Sequence, residues 1–353
     1  MESTSPLITT IIPTYRRPRL LKRAVRSVLN QTFHHFQVCI YDNASGDETA
    51  EMVADLAKQD HRVKYHCHSE NIGARSNFQY GMAIVNTPYF SFLSDDDFLL
   101  PNFYETALEG FQKFPDAAFS AGSVITMTDN GKVLYAPLSL WSKEGYFTPP
   151  ESLLEIIGEK HPIWTGILFR RSVIENIGVL DPEVGANDLD FVFRIAARFP
   201  FVISKKPCAV CVNHPSSFSA LPNLNDLWPS WLKMIRNLTE DKQIPANIRA
   251  IFEQKLLAEI KDMIFWIGVR SIPAGKYQQA FDAAQVLNDR FRLKTKAQLL
   301  NLLASICQRS RLIHQTFVLV LNLRRYVMSY ARRDRARLQA EYAHLSKLIG
   351  GPS

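Results

Sequence analysis

The chain has 353 residues, of which 46% are hydrophobic and 21% charged, with a net charge of +7. That balance excludes a disordered or fibrous chain and supplies enough apolar residues for a sizeable core. No stretch approaches the ~18 apolar residues of a membrane-spanning helix, and Met1–Ser5 lacks the basic and apolar regions of a signal peptide, so a cytoplasmic chain is expected.

The first 220 residues alternate apolar runs with amphipathic stretches. Leu7 to Ile12 reads as a strand ended by Pro13, and Leu20, Leu21, Ala24, Val25, Val28 and Leu29 recur at helical spacing. Val38 to Tyr41 reads as a second strand. Ser45-Gly46-Asp47-Glu48 has the form of a capping box, opening a helix with Met52, Val53, Leu56 and Ala57 inward. Val63 to His66 predicts a third strand, Ala74 to Val85 a helix and Tyr89 to Leu93 a fourth strand. Such alternation implies βαβ units and a mainly parallel sheet, with ligands at the carboxyl ends of its strands. Beyond Phe114 the pattern is mixed: strands at Ala118 to Met127, Val133 to Tyr135, Gly166 to Phe169, Phe201 to Ile203 and Ala209 to Val212, and a helix at Asp188 to Phe199. From about Asn225 only helical periodicity remains. The charge divides similarly: residues 1–220 hold 20 Lys and Arg against 24 Asp and Glu, and residues 221–353 hold 21 against 10. Two regions are expected, 1–220 and a basic helical extension, 221–353.

The five cysteines, odd in number and mostly in apolar runs, read as reduced core residues. Cys208 and Cys211 lack the second pair a zinc site needs. His66, Cys67 and His68 alternate across a strand and do not converge readily on one metal.

Four polar clusters stand at strand ends or helix starts. Asp95, Asp96 and Asp97 follow an apolar strand; crowded carboxylates need a cation or strong hydrogen bonds to stay ionised together, although a solvated turn fits too. In extended backbone Asp95 and Asp97 would share a face and Asp96 would point away. Asp42 to Asp47 suits contact with a base or ribose, or simple turn chemistry. Asn71 to Asn77 includes Arg75 at a helix start, where anions bind and where a plain cap is equally natural. Asn187-Asp188-Leu189-Asp190 opens a helix, as a general base or a cap.

With Ile11-Ile12-Pro13-Thr14-Tyr15 in front, this ordered set resembles the family-2 glycosyltransferases over about residues 7–215. The resemblance implies an α/β GT-A fold: a mainly parallel central sheet flanked by helices, followed here by the all-helical extension. It implies a nucleotide-diphosphate sugar donor, linked to UDP, GDP or dTDP, and a glycan or lipid-linked acceptor. It implies Mn2+ or Mg2+ as cofactor, transfer with inversion, and a place in bacterial surface polysaccharide or glycan synthesis. Pro13, Thr14, Tyr15, Arg17, Asp42, Asn71, Arg75, Asp95 and Asp96 fall on its donor side. Asp97 falls at the metal position, joined by His214. Trp164, Thr165, Gly166 and Asn187 fall on the acceptor side, and Asp188 at the catalytic base. The chain departs from the pattern where Arg16 replaces a common Asn, where Asn187 replaces a Glu, and in the His-Pro-Ser-Ser setting of His214.

Leu312 to Tyr326 is an apolar helical stretch, with Arg309 and Arg311 before it and Arg324, Arg325, Arg332, Arg333, Arg335 and Arg337 after it. It fits an anionic membrane surface, giving a peripheral protein on the inner face, or equally a helix packed on the catalytic region. Trp228, Trp231, Phe265 and Trp266 are interface anchors or core. Rival classes fit less well. A nucleotide-sugar pyrophosphorylase or a dinucleotide oxidoreductase needs glycines after the first strand, where Pro13 to Arg17 has none. Nucleic-acid binding needs an aromatic stacking platform among the arginines, and none is present. A non-catalytic scaffold of the same fold sits poorly with intact Asp95, Asp97 and Asp188.

Overall fold

Apolar runs flanked by amphipathic stretches place the first seven elements as expected in a computed structural model that describes residues 5–158, 160–214, 224–331 and 333–349. The side chains of 225–226 and 323–335 fall outside that description. So do the expected boundary at 220 and the side chains of Arg324, Arg325, Arg332, Arg333 and Arg335.

The chain runs β1 (Ile8–Thr14), α1 (Pro18–Leu29), β2 (Phe36–Asp42), α2 (Thr49–Gln59), β3 (Val63–Cys67), α3 (Ala74–Ala83) and β4 (Tyr89–Phe92). It continues through β5 (Phe98–Leu99), α4 (Phe103–Lys113), β6 (Phe119–Thr128), β7 (Val133–Tyr135), β8 (Gly145–Phe147) and α5 (Ser152–Glu155). Then come β9 (Ile167–Arg170), α6 (Ser172–Ile177), α7 (Asn187–Ala196) and β10 (Phe201–Asn213). The helices α8 (Leu224–Thr239), α9 (Ala246–Ser271), α10 (Tyr277–Asp289), α11 (Lys294–Arg309), α12 (Arg311–Ala331) and α13 (Arg333–Tyr342) close it.

One sheet holds the strands in the order β3-β2-β1-β4-β9-β6-β10-β5. Strands β3, β2, β1 and β4 are all parallel, β6 is parallel to β10, and β9 runs antiparallel between β4 and β6. This is a GT-A sheet flanked by helices. Every residue of β1 is buried, as a central strand between two layers requires. Gly81 of α3 lets that helix lie flat on it: an added Cβ would sit 2.6 Å from Ile11 Cγ2.

Three local expectations change. The Ser45 box does not cap α2: Ser45 Oγ donates to Asp42, and Asp47 Oδ1 instead accepts from the Thr49 N–H at 3.0 Å. Phe201–Ile203 and Ala209–Val212 are one strand, interrupted by register shifts around Pro207, which has no N–H for the ladder. The helix α8 has apolar residues at helical spacing but carries Pro229 within it, and the strands β5 and β8 are too short to show a period.

The extension does not have a core of its own. Buried Phe252, Leu256 and Ile260 of α9 join one cluster with Phe193 and Ile195 of α7, and that cluster continues to Ala283 and Leu287 of α10 and Leu300 of α11. Trp231 is buried in it, and Trp228, Phe265 and Trp266 pack at its margin. Leu338 and Leu345 turn back onto the sheet, against Phe98, Met127, Val133 and Val212.

Candidate active site

The parallel strands end together, and the loops that follow β1, β2 and β4 are tied to one another. Thr14 pairs with Asp42 in register, and the Asn43 N–H donates to the Thr14 carbonyl at 3.0 Å. Thr14 Oγ1 donates to Asp95 Oδ2 at 2.8 Å. Arg16 sits at φ 55°, a left-handed conformation that Asn tolerates better than most residues. Ser45 holds it there, its hydroxyl accepting the Arg16 N–H at 2.8 Å and its carbonyl the Arg16 Nε–H at 3.0 Å. The Arg for Asn departure thus keeps the backbone turn. Pro13 lies in β1, and Tyr15 is exposed with the Arg16 guanidinium over its ring.

Residues 94–97 form a turn, with the Asp97 N–H donating to the Ser94 carbonyl at 3.1 Å, so the strand alternation expected for the three carboxylates fails. Asp97 turns inward. Its Oδ1 accepts the Val212 N–H and its Oδ2 the Thr165 hydroxyl, each at 2.9 Å. Burial and the neighbouring Asp96 charge push its pKa up to about 7. Each oxygen of Asp97, the residue expected to hold a cation, thus already accepts one protein hydrogen bond in the interior. Asp96 turns the other way, its side chain 13% exposed. Its Oδ2 lies 3.0 Å from His214 Nε2 and 3.1 Å from Arg17 Nη1. Arg17 Nη1 also reaches Asp95 Oδ1 at 3.2 Å, while burial and Asp96 push Asp95 up to about 6.

Asp96 and His214 are joined by a hydrogen bond between Oδ2 and Nε2 at 3.0 Å, and both atoms are donor types that an octahedral divalent ion takes. One carboxylate oxygen and one imidazole nitrogen leave the other positions to phosphate oxygens and water. Among the described residues no cluster of three or more His, Cys, Asp or Glu could hold a metal by itself, so His66, Cys67 and His68 form none. His66 and His68 pack around Tyr80 instead, with ring centroids 5.0 and 4.7 Å away.

The remaining predicted residues divide into those that face one another and those that brace. Asp42 is buried, accepting from the Ser45 N–H at 3.0 Å and from Tyr65 Oη at 2.6 Å. Asn71 Oδ1 accepts from Asn43 Nδ2 and from the Gly73 N–H, so it shapes the loop ahead of α3. Arg75 reaches the loop before α7, where an added Cβ on Gly185 would lie 3.3 Å from its Nη2. Trp164 stacks on Phe92 at the end of β4, with centroids 4.9 Å apart. Thr165 and Gly166, expected on the acceptor side, are fully buried: Thr165 holds Asp97, and Gly166 packs against Val124, Gly122 and Cys208.

Asp188 lies in the first turn of α7. Burial raises its pKa, against the pull of the Leu189 N–H and the nearby His161. Asn187 is buried beside it, and its amide nitrogen meets no acceptor among the described residues. Asp190 is a structural anchor: it bridges Arg194 Nε at 2.8 Å and accepts from Asn237 of α8 at 2.9 Å. A cavity of about 610 Å³ lies at the opposite, amino ends of the strands, lined by His35, His61 and Lys64. It is remote from these acids.

The profile described as Glycosyl transferase family 2 matches residues 9–178. Over those residues the chain belongs to glycosyl transferase family 2. A relative from Campylobacter jejuni, a GalNAc(5)-diNAcBac-PP-undecaprenol beta-1,3-glucosyltransferase, is 32% identical over 105 residues, 30% of this chain and 34% of that protein. An uncharacterized glycosyltransferase of Rickettsia prowazekii is 26% identical over 68% of this chain and 75% of its own. Two further Rickettsia relatives are matched over only 19% and 20% of their length, so the chain spans a third or less of several relatives. Among solved structures, S. aureus TarS 1-349 in complex with UDP-GlcNAc superposes with a TM-score of 0.61 at 15% identity, covering 88% of this chain and 91% of that one.

Within this family-2 domain, two residues that brace the acids were not legible in the sequence. Arg23 reads as a solvated charge on α1, yet its Nη2 donates to the Asp96 carbonyl. Cys211 reads as a core thiol, yet it hydrogen-bonds Asp97; burial and the Asp97 and Asp96 charges raise its pKa well above the ordinary value.

Proposed function

We propose that the chain is a glycosyltransferase that moves a sugar from a nucleotide-diphosphate donor to an acceptor hydroxyl, with inversion and with Mn2+ or Mg2+. The convergence of Asp96, His214 and Arg17 at the carboxyl ends of β1 and β4 carries this reading. Departure of a diphosphate builds negative charge. A divalent ion on Asp96 and His214 would supply Lewis-acid stabilisation of that charge. Arg17 adds a cation on the same side, and Asp95 and Asp42, at the ends of neighbouring strands, are read as the ribose and base contacts. Asp188 takes the proton from the acceptor hydroxyl; its raised pKa makes it a stronger base than an ordinary carboxylate. Direct attack by that oxygen on the anomeric carbon, opposite the leaving diphosphate, inverts the centre. The buried Asn187 amide has a donor to spare for the acceptor. The Campylobacter relative acts on an undecaprenol-diphosphate-linked glycan by its name, which supports a lipid-linked or glycan acceptor here, in surface polysaccharide or glycan synthesis.

The test is nucleoside-diphosphate release across UDP-, GDP- and dTDP-sugars with Mn2+, Mg2+ or EDTA, for wild type and Asp188→Asn. Release with at least one donor, dependent on the ion and lost in the variant, is expected. No release from any donor, or equal release by the variant, refutes the reading.

A further inference from the structure

Helix α11 is apolar on two opposite faces. Ala297, Leu300, Ala304 and Cys307 are buried, whereas Leu299, Leu302 (57%) and Ile306 are exposed. At 100° per residue the two stripes stand about 150° apart around the helix. Helix α12 repeats the pattern. His314, Phe317, Val318 and Leu321 form its partly buried face, and Leu312 (74%), Ile313, Leu319 (60%) and Val320 face outward. Polar Gln298, Asn301, Gln315 and Thr316 interrupt the outer faces, yet seven large apolar side chains on consecutive helices exceed the scattered exposure of an ordinary surface.

The charge around this face identifies the cover. From residue 290 to residue 333 there are ten Lys and Arg and not one Asp or Glu. Arg290, Arg292, Lys294, Arg309 and Arg311 are exposed at the ends of these helices. A second copy would bring an equally basic stretch against this one, relieved locally by Asp262 of α9, which pairs with Lys296 at 2.9 Å, and like charges oppose that contact. No helix of the described residues is long and apolar enough to cross a membrane. Apolar side chains rimmed by cations suit an anionic bilayer surface, where leucines enter the acyl boundary and Arg and Lys meet lipid phosphates.

We infer that the outer face of α11 and α12 docks the enzyme on an anionic lipid bilayer. This deepens the lipid-linked acceptor reading, because such docking holds the site beside an acceptor anchored in the same surface. Flotation of the full chain without nucleotide sugar tests it. The vesicles contain phosphatidylethanolamine and phosphatidylglycerol, or phosphatidylcholine alone.

Wild type is expected to float with the anionic vesicles and not the neutral ones, and to be released by salt. Leu302→Glu with Leu319→Glu is expected to reduce partitioning more than about tenfold. Arg309→Gln with Arg311→Gln should reduce it about fivefold per charge removed. Because these side chains are exposed, the folded fraction by circular dichroism and nucleoside-diphosphate release from the donor with a soluble acceptor stay at the wild-type level. Equal flotation of wild type and the leucine variant, equal binding to neutral vesicles, or self-association abolished by the variant without any lipid binding would each overturn the inference. Flotation by a chain that transfers no sugar would leave it standing while removing the transferase reading.

Discussion

Arg23 donates through Nη1 to the carbonyl of Ile349 at 2.6 Å, joining α1 to a turn 326 positions later in the chain. Its Nη2 donates to the Asp96 carbonyl, and its guanidinium lies over the Phe98 ring. Burial lowers its pKa while the charges of Asp97, Asp96 and Asp95 hold it up. The C-terminal segment and the acidic loop therefore share one partly buried cation. Arg23→Met removes both bonds and the charge that offsets three carboxylates, and should destabilise the fold by about 3 kcal/mol. Arg23→Lys should recover part of this, since an ammonium keeps the charge but lacks the planar fork that reaches two carbonyls. Urea denaturation measures both; a midpoint unchanged in Arg23→Met would show the bridge to be idle.

Asp96 and Asp97 are adjacent in sequence and opposite in surroundings, so their alanine variants should fail differently. Asp97→Ala leaves the Val212 N–H and the Thr165 hydroxyl buried without their acceptor, a loss of roughly 1–3 kcal/mol for each group. Asp96→Ala removes a partly exposed carboxylate and should shift stability by less than about 1 kcal/mol. It should nonetheless abolish ion-dependent donor binding, as should His214→Ala. Calorimetric titration of a nucleotide-diphosphate sugar with and without EDTA, beside thermal melts, separates the two. Loss of stability in Asp96→Ala with normal binding would reverse the assignment.

The raised pKa of Asp188 gives a signed pH dependence. A base acts in its ionised form, so kcat should rise with pH through a midpoint above the ordinary carboxylate value and level off beyond it. Asp188→Asn should lose that limb and fall in kcat by about 10²–10⁴, with donor affinity retained. Stability runs the opposite way. The native state favours the neutral acid, so stability is lost as pH rises from the unfolded pKa to the folded one. Asp188→Asn should then melt higher than wild type at pH 8 and close to it at pH 4. A variant that melts lower at pH 8 would mean the carboxylate is stabilised in place.

The parallel half of the fold was legible because short apolar runs and period-3.6 stretches alternate cleanly from Ile8 to Phe92, and the clusters at its strand ends mark one edge of the sheet. The orientation within each cluster was not. Asp95, Asp96 and Asp97 differ only through the turn at Ser94 and through partners at 165, 212 and 214, which no local pattern announces. Long-range bonds hid Arg23 for the same reason. The basic tail was visible as charge. Its division into a part that packs on the sheet, with Leu338 and Leu345, and a part that leaves apolar faces exposed on α11 and α12 depends on tertiary contacts.

Gly166 separates a loop that meets an acceptor from a wedge in the core. A Cβ there would stand 2.5 Å from Val124 Cγ2, 2.9 Å from the Gly122 carbonyl oxygen and 3.0 Å from Cys208 Sγ. The valine methyl can turn aside, but the Gly122 carbonyl belongs to β6 and cannot move without its ladder. Gly166→Ala should therefore cost about 1–3 kcal/mol through overpacking. Because Thr165 would be pushed off Asp97, part of that loss should match the stability lost in Asp97→Ala. Gly122→Ala offers an independent check: its added Cβ would lie 2.6 Å from the same Cys208 Sγ. A Gly166→Ala protein with wild-type stability and altered acceptor KM alone would return this glycine to the acceptor side.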